Sequence, residues 1–530
     1  MTRTEKKVHR KNNPTGKKNT TSRNVPIEIQ NGKSGISSFG GLWSAVRLFQ
    51  LSGLPGVIDS AIGARSNRGY RDSEHVLALA LLQLAGGRVV DHLSDLEGKL
   101  RFEELGISIP SPSSSRKWLS EFHNEEEDKE RGQGRSFIPG ENRYLAGFRT
   151  VFSHLLSFSL THGGARNGKA GCITLDQDAT FIDTEEEGAL WNYKGARSYQ
   201  AFNTYCPEAD LVVAGRYSDG NVNPGFRQKE EFERILSGLP GEVKGVSLRS
   251  DGAGYQSDLL LYCNEGKNKR FGRIPFGISC PVVKEFREAV RSVPSKDWKP
   301  LGEGRVTLKD GSVAPLAEWS EVAYAPGSLS RKKHGPDYRF FAIREIQGPN
   351  ASWDVEQGRL FDGPDEGRRT NDSHTLALGD RTYKIRGIVS NIDDGDNGDI
   401  FGYSDGESMN GERIILWQRK RCGKSEEVHH ILKGDLGGGH IPSKRFGANA
   451  AWWSISALAL NLHNLLKRLL LPPAYRKSRP KTLRFLLYTM ACKIVRHSRR
   501  TVLKVWSGDR GGRLFSHAVE KLDELRRLLE

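Results

Sequence analysis

Cysteine is scarce in this chain. Six residues (Cys172, Cys206, Cys263, Cys280, Cys422 and Cys492) are spread over 530 positions, and none belongs to a CxxC pair. Neither a zinc ligand set nor a disulfide framework is signalled, and a reducing compartment is expected. No secretory signal is expected, since the stretch "MTRTEKKVHRKNNPTGKK" is basic and lacks an apolar run. No long apolar run is uninterrupted. The longest, "AWWSISALALNLHNLLKRLLL", carries Asn461, His463, Asn464, Lys467 and Arg468, groups too costly for a bilayer centre. It is expected to be the buried helix of a soluble, intracellular protein without a membrane partner. Acidic residues are in deficit, 64 against 80 Lys and Arg, which leaves a net charge of +16 and a pI near 9.5. That excess suggests a polyanionic partner such as nucleic acid. No internal repeat is present.

With 36% apolar and 27% charged residues the chain can bury substantial cores, and its length suits roughly two to four domains. Residues 1–34 are polar and basic and are expected to be a disordered tail. Over 35–130 apolar residues recur at three- and four-residue intervals. "LWSAVRLFQLSG" and "SEHVLALALLQLAGG" are predicted helices, the second capped by Ser73 and stopped by Gly86–Gly87. "PSSSRKWLSEF" reads as a cap and a short helix, and the charged residues 123–142 read as a linker. After the helical "RYLAGFRTVFSHLLSFSL" the texture changes. "GCITLDQDATFID" and "DLVVAGRYSDGN" are predicted strands, and "KGVSLRSDGAGYQSDLLLYCNEG" reads as strand, turn and helix, so an α/β core begins within 131–265. Residues 266–410 look β-rich, with Asp-Gly and Gly-Pro turns. Helices return over 411–510 and in a final helix at 511–530.

Three carboxylates draw attention. Asp178 lies in "LDQDAT", on or at the end of a predicted strand, where it could equally decorate a solvated face or cap a turn. Asp251, in "SLRSDGAG", follows a short apolar strand, and an ordinary Asp-Gly turn explains it as well. Glu426 lies in "RCGKSEEVHHILKGDL", where Ser425 could cap a helix and Glu426 and Glu427 would complement its dipole. An ideal helix there puts Val428, Ile431 and Leu432 on one stripe and Glu426, His430 and Lys433 on the opposite face. Together the three acids could converge at one sheet edge and offer hard oxygen ligands to a pair of Mg²⁺ ions.

At these residues the chain resembles DDE-type insertion-sequence transposases. The carriers are "LDQDAT", "SLRSDGAG", the long "RCGKSEEVHHILKGDLGGGHIPSKRFGANAAWW" with "LALNLHNLLKRLLL", and "LRFLLYTMACKIVRHSRR". The resemblance implies an α/β fold with a ribonuclease-H-like core. That core would be interrupted by an all-β insertion and preceded by a helical DNA-binding domain. It further implies a catalytic and metal-binding triad of Asp178, Asp251 and Glu426, with two Mg²⁺ ions for which Mn²⁺ may substitute. Asp176 stays open as an alternative to Asp178, and Glu427 to Glu426. The family has a lysine seven residues after its glutamate, and Lys433 meets this spacing as a phosphate ligand. Its tyrosine and arginine positions are held here by Arg419 and Cys422, so Arg421, one place off, is expected to serve through a local bulge. "LRFLLYTMACKIVRHSRRTVLKVW" is predicted to be a helix with Lys493, Arg496, Arg500 and Lys504 as a basic, DNA-binding face.

The activity implied is cut-and-paste transposition: cleavage at element ends, then strand transfer into target DNA. The partners implied are terminal inverted repeats, target DNA and a second copy of the chain, in a nucleoid-associated cytoplasmic setting. The alternatives are a ribonuclease-H-like nuclease without strand transfer and a catalytically silent DNA-binding protein of transposase descent.

Overall fold

The computed structural model describes residues 35–530 apart from 65–68, 132–136, 139–141, 164–169, 309–310, 327–337, 348–350, 353–373, 379–380, 404–405 and 498–499. The tail expected over 1–34 lies outside the described residues. Helical periodicity in the N-terminal part produces α1 (Trp43–Leu51), α2 (Leu54–Ala61), α3 (Asp72–Ala85), α4 (His92–Leu100), α5 (Pro112–Ser120), α6 (Glu125–Arg131) and α7 (Arg143–His162). Gly86 ends α3 in the left-handed region, with φ 97°. Ser73 is not its cap. The cap is Arg71, whose N–H donates to the Glu74 carboxylate at 2.7 Å, while Ser73 lies inside the helix and bonds Asp59. α6 falls within the expected linker and ends on Arg131, which forms a buried ion pair with Asp219 at 2.7 Å.

The centre is one mixed sheet of eleven strands. Its first part comprises β1 (Cys172–Asp183), β2 (Arg197–Cys206), β3 (Leu211–Asp219), β4 (Gly245–Ser250) and β5 (Phe276–Cys280). β1, β2 and β3 form an antiparallel meander, β4 lies parallel to the other side of β1, and β5 lies parallel to β4. The two parallel joins are crossovers, made by α8 (Gln228–Gly238) before β4 and α9 (Ser257–Asn264) before β5. β2 has no counterpart in the predicted strands, because "RSYQAFNTYC" is polar where a buried strand is usually apolar.

The stretch that reads as β-rich adds to the same sheet and also holds α10 (Lys284–Arg291). Its long strands are β6 (Ala317–Glu321), β7 (Arg339–Gln347) and β8 (Arg381–Ser390), and β8 pairs antiparallel with β5. On this extension a second hydrophobic cluster gathers Trp319, Phe341, Ile343 and Ile388 with Ile414, Ile415 and Trp417 of α11 (Gly411–Arg419). The extension therefore anchors α11 and the segment that follows it, α12 (Lys424–His430).

α13 (Phe446–Leu470) is buried along nearly its whole length and packs against α1, α3, α5, α7 and β3. Each apolar side chain it takes out of water contributes about 1.5–3 kcal/mol. Several of its buried polar groups find partners on other elements. Asn461 donates to the Val212 carbonyl at 2.7 Å and accepts from the Val212 N–H at 2.8 Å, as an additional strand would at that edge of β3. Asn464 donates to the Asp210 carbonyl, and His463 bonds the Tyr488 hydroxyl and the Ser478 carbonyl. Burial pushes the His463 imidazole down to about 3, so it stays neutral. Among the described residues no helix is long and apolar enough to cross a membrane.

One predicted helix is overturned. Two antiparallel strands stand there, β9 (Cys492–His497) and β10 (Arg500–Val505), and Ile36–Ser37 adds to the edge of β9. The β-branched residues and a period of two, with Cys492 and Ile494 buried and Lys493 exposed, win over the helical spacing of the cations. The register sets Lys493 opposite Lys504 and Arg496 opposite Thr501, so no basic helical stripe forms and Arg496 and Arg500 lie on different strands. α14 (Arg510–Leu529) closes the chain.

Candidate active site

Parallel pairing of β1 with β4 sets Asp176 beside Arg249 and Gln177 beside Ser250, so the next residues along, Asp178 and Asp251, emerge together. The two strands treat their acids differently. Asp176 is buried and takes a bidentate ion pair from Arg249, at 2.6 and 2.7 Å, while Arg249 also donates to the Trp417 carbonyl at 2.6 Å. Both of its oxygens are committed, which leaves Asp178 as the acid available on β1. Asp251 caps the short turn Gly252–Gly254, its Oδ1 accepting from the Ala253 N–H at 3.1 Å. Burial pushes the Asp178 carboxyl above its ordinary range, against the pull of Arg421. Burial raises Asp251 as well, and the negative charge of Asp178 adds to that effect.

Arg421 reaches this pair from the turn between α11 and α12, its Nη1 lying 3.1 Å from Asp178 Oδ2. Its Nε is buried and has no hydrogen-bond partner. Behind it Gln418 donates to Ser279 Oγ at 3.1 Å, tying α11 to β5. Gly423 makes the turn at φ 73°, a backbone conformation that a side chain would strain.

Glu426 is not brought into the pair. Ser425, Val428 and His429 face inward on α12, and Glu426 and His430 are exposed. Among the described residues no group of three or more His, Cys, Asp or Glu side chains stands close enough to hold a metal ion. Glu427 is engaged by Lys424 at 3.1 Å. The projected stripe of Val428, Ile431 and Leu432 is buried, and only Lys433 departs from the projection, because the chain widens into a π-helical turn at Ile431–Asp435 and loses the phase that would stack Glu426 over Lys433. Lys433 turns inward, its Nζ donating to Thr180 Oγ1 at 3.0 Å and to the Phe181 carbonyl at 3.3 Å. Burial holds its ammonium below the ordinary range. His429 is pushed down to about 3, first by burial and then by the charges of Lys433 and Arg421, so it is neutral. Lys433 and Asp251 line one open cavity with Phe181, Asp183, Tyr193 and Lys194.

Residues 403–527 match the family model described as transposase DDE domain group 1. That segment is similar to the transposase domain. It contains Arg421, Glu426 and Lys433, whereas Asp178 and Asp251 come from the chain before it. No curated protein matches the chain. Among solved structures, a cryo-EM structure of a piggyBac transposase synaptic complex with hairpin DNA aligns with a TM-score of 0.39 and 8% identity, over 94% of this chain and 84% of that one.

Sequence reasoning missed Arg249, which pairs with Asp176, and His429, which lies near Lys433 and Arg421. An arginine inside a predicted strand was the available signal for the first, since a buried guanidinium requires a carboxylate.

The raised carboxyls have a consequence for stability. With its pKa above the unfolded value, folded Asp251 keeps its proton to higher pH than the unfolded chain does. Its contribution is full below the ordinary aspartate range and is lost as pH rises through the raised value. Asp251→Asn keeps the acceptor for the Ala253 N–H and cannot ionise. In metal-free buffer it should raise the melting temperature at neutral pH and flatten the fall in stability between acid and neutral pH. An unchanged pH profile would mean that the acidic pair is not under electrostatic strain.

Proposed function

We propose that this chain is a DNA transposase that cleaves at element ends and transfers the freed strand into target DNA. The observation that carries this reading is the emergence of Asp178 and Asp251 side by side from adjacent parallel strands, with Arg421 of the transposase domain set against them. A meander of three strands followed by two parallel ones supports a ribonuclease-H-like core. Mg²⁺ needs only one or two protein carboxylates, with water and substrate phosphate oxygens completing its shell. Two half-buried carboxylates that resist ionisation on their own fit such a cation. Asp178 and Asp251 would hold it, and when bound it supplies charge stabilisation for phosphodiester displacement.

The chain's own residues then divide the work. Asp178 and Asp251 fix the reacting end, and the free Nε of Arg421 can donate to a phosphate oxygen. Lys433, anchored on β1, offers a second cation for the DNA backbone. Water attacks the phosphodiester at the element end and leaves a 3′-hydroxyl, which attacks target DNA in the following step. Glu426 is assigned the third ligand position in the complex with DNA, which requires α12 to turn between Gly423 and the π-helical turn. Terminal repeats are assigned to the N-terminal helices, and a homodimer to paired ends.

One observation favours a second reading. Glu426 stands outside the pair, as it would in a DNA-binding protein that has kept the fold and lost cleavage. A single assay decides. Purified protein is incubated with a duplex carrying the element end, a target plasmid, and Mg²⁺ or Mn²⁺. Cleavage with joined products is expected. Cleavage alone would leave a nuclease, and binding without metal-dependent cleavage would establish the silent protein.

A further inference from the structure

Beside the acidic pair a tyrosine is held out into solvent by a turn that has little freedom to move. Residues Asn192–Gly195, "NYKG", connect Leu190–Trp191 to β2. Asn192 is buried and pins the turn from inside. Its Oδ1 accepts from the N–H groups of Lys194 and Ala196, at 2.8 and 3.2 Å, and its Nδ2 donates to Ser198 Oγ at 2.9 Å. Gly195 completes the turn at φ 78° and donates to the Asn192 carbonyl. Tyr193 is nonetheless 76% exposed. Its ring meets the edge of Phe181 at 5.4 Å, and Lys194 Nζ lies 5.8 Å from the Tyr193 ring and 5.5 Å from the Phe181 ring.

An aromatic ring kept in water by a rigid turn gains nothing in the free protein, since burying it would be favourable. A π face with ammonium groups around it matches a nucleobase joined to phosphate. The neighbouring space agrees. Tyr193, Lys194, Lys433 and Asp251 line the same open cavity. Duplex DNA keeps its bases stacked on one another, so only an unpaired base can present its face there. Trp191 is exposed as well, but the cavity beside it sets Glu185 and Glu187 against the single cation Arg197, in addition to Asp183, which borders both cavities, and neither Lys194 nor Lys433 lines it.

We infer that Tyr193, Lys194 and Lys433 form a subsite for one unpaired nucleotide of the DNA strand that runs to Asp178 and Asp251. Tyr193 stacks on the base and the two lysines take the adjoining phosphates. The inference rests on the transposase reading, and the test separates the two.

Binding of a fluorescent short oligothymidylate and of a short duplex is measured by anisotropy in EDTA. Tyr193→Ala should weaken the oligothymidylate by about tenfold and leave the duplex unchanged. Tyr193→Phe should restore binding, because the ring and not the hydroxyl is used, and Trp191→Ala should bind as the wild type does. Equal binding by wild type and Tyr193→Ala, or an equal loss on duplex, would overturn the subsite. Wild-type cleavage of element-end DNA is scored in parallel. Tyr193-dependent binding without any cleavage keeps the subsite and removes the transposase reading. Cleavage together with an indifferent Tyr193 does the reverse.

Discussion

Replacing Asp178 or Asp251 by alanine is expected to lower Mg²⁺-dependent cleavage of element ends by about a thousandfold, equivalent to roughly 4 kcal/mol of transition-state stabilisation. Asp178 lies on β1 just past its pairing with β4, and Asp251 follows the end of β4, so losing either one removes half of a two-carboxylate seat. DNA binding should persist, because the lysines and Arg421 remain. Folding should persist too, since each carboxyl is held at a cost in the absence of a cation. Glu426→Ala belongs in the same experiment. If α12 delivers Glu426 only in the DNA complex, its loss should approach that of the other two in cleavage and leave metal-free properties untouched. Residual cleavage within about tenfold of wild type for Asp178→Ala would remove that residue from the chemistry.

Asp176→Ala, two residues earlier on the same strand, should do something quite different. It should destabilise the fold by about 3–5 kcal/mol, because Arg249 would be left buried without its counter-charge. That is a large share of the 5–15 kcal/mol that usually separates folded from unfolded chains. The damage should spread, since Arg249 also ties β4 to the end of α11 through the Trp417 carbonyl. Urea titration of Asp176→Ala beside Asp178→Ala gives the contrast. The first should move its midpoint far down, and the second should move it much less, because Arg421 keeps the charge of Asp251 nearby. A double variant, Asp176→Leu with Arg249→Met, removes both charges and should recover most of the loss, as desolvation accounts for the penalty. A cost below about 1 kcal/mol for Asp176→Ala would mean that the pair is solvated in practice.

These two aspartates show where reading the sequence stops. "LDQDAT" has two acids on one face of a strand, and nothing local ranks them. The ranking comes from Arg249, 73 positions away, which takes one and leaves the other. In the same way "RSYQAFNTYC" conceals a buried strand because its polar side chains find distant partners. Gln200 donates to the Val222 carbonyl, and Asn203 accepts from the indole of Trp453. The stretch that forms β9 and β10 carries both a helical and a two-residue period, and pairing with Ile36–Ser37 favours the second.

Local chemistry was enough to mark several features from the amino-acid order. The β-branched run of β1, the Asp-Gly turn after β4, the glycine that stops α3 and the apolar length of α13 all follow from neighbours a few residues apart. Which acid is neutralised and which is spare depended on tertiary contact, and so did the loss of phase between Glu426 and Lys433. Charge pairing and helix phase are set by groups that meet only after the sheet has assembled. A π-helical turn or a buried guanidinium is stabilised by that assembly and not by its own stretch of chain.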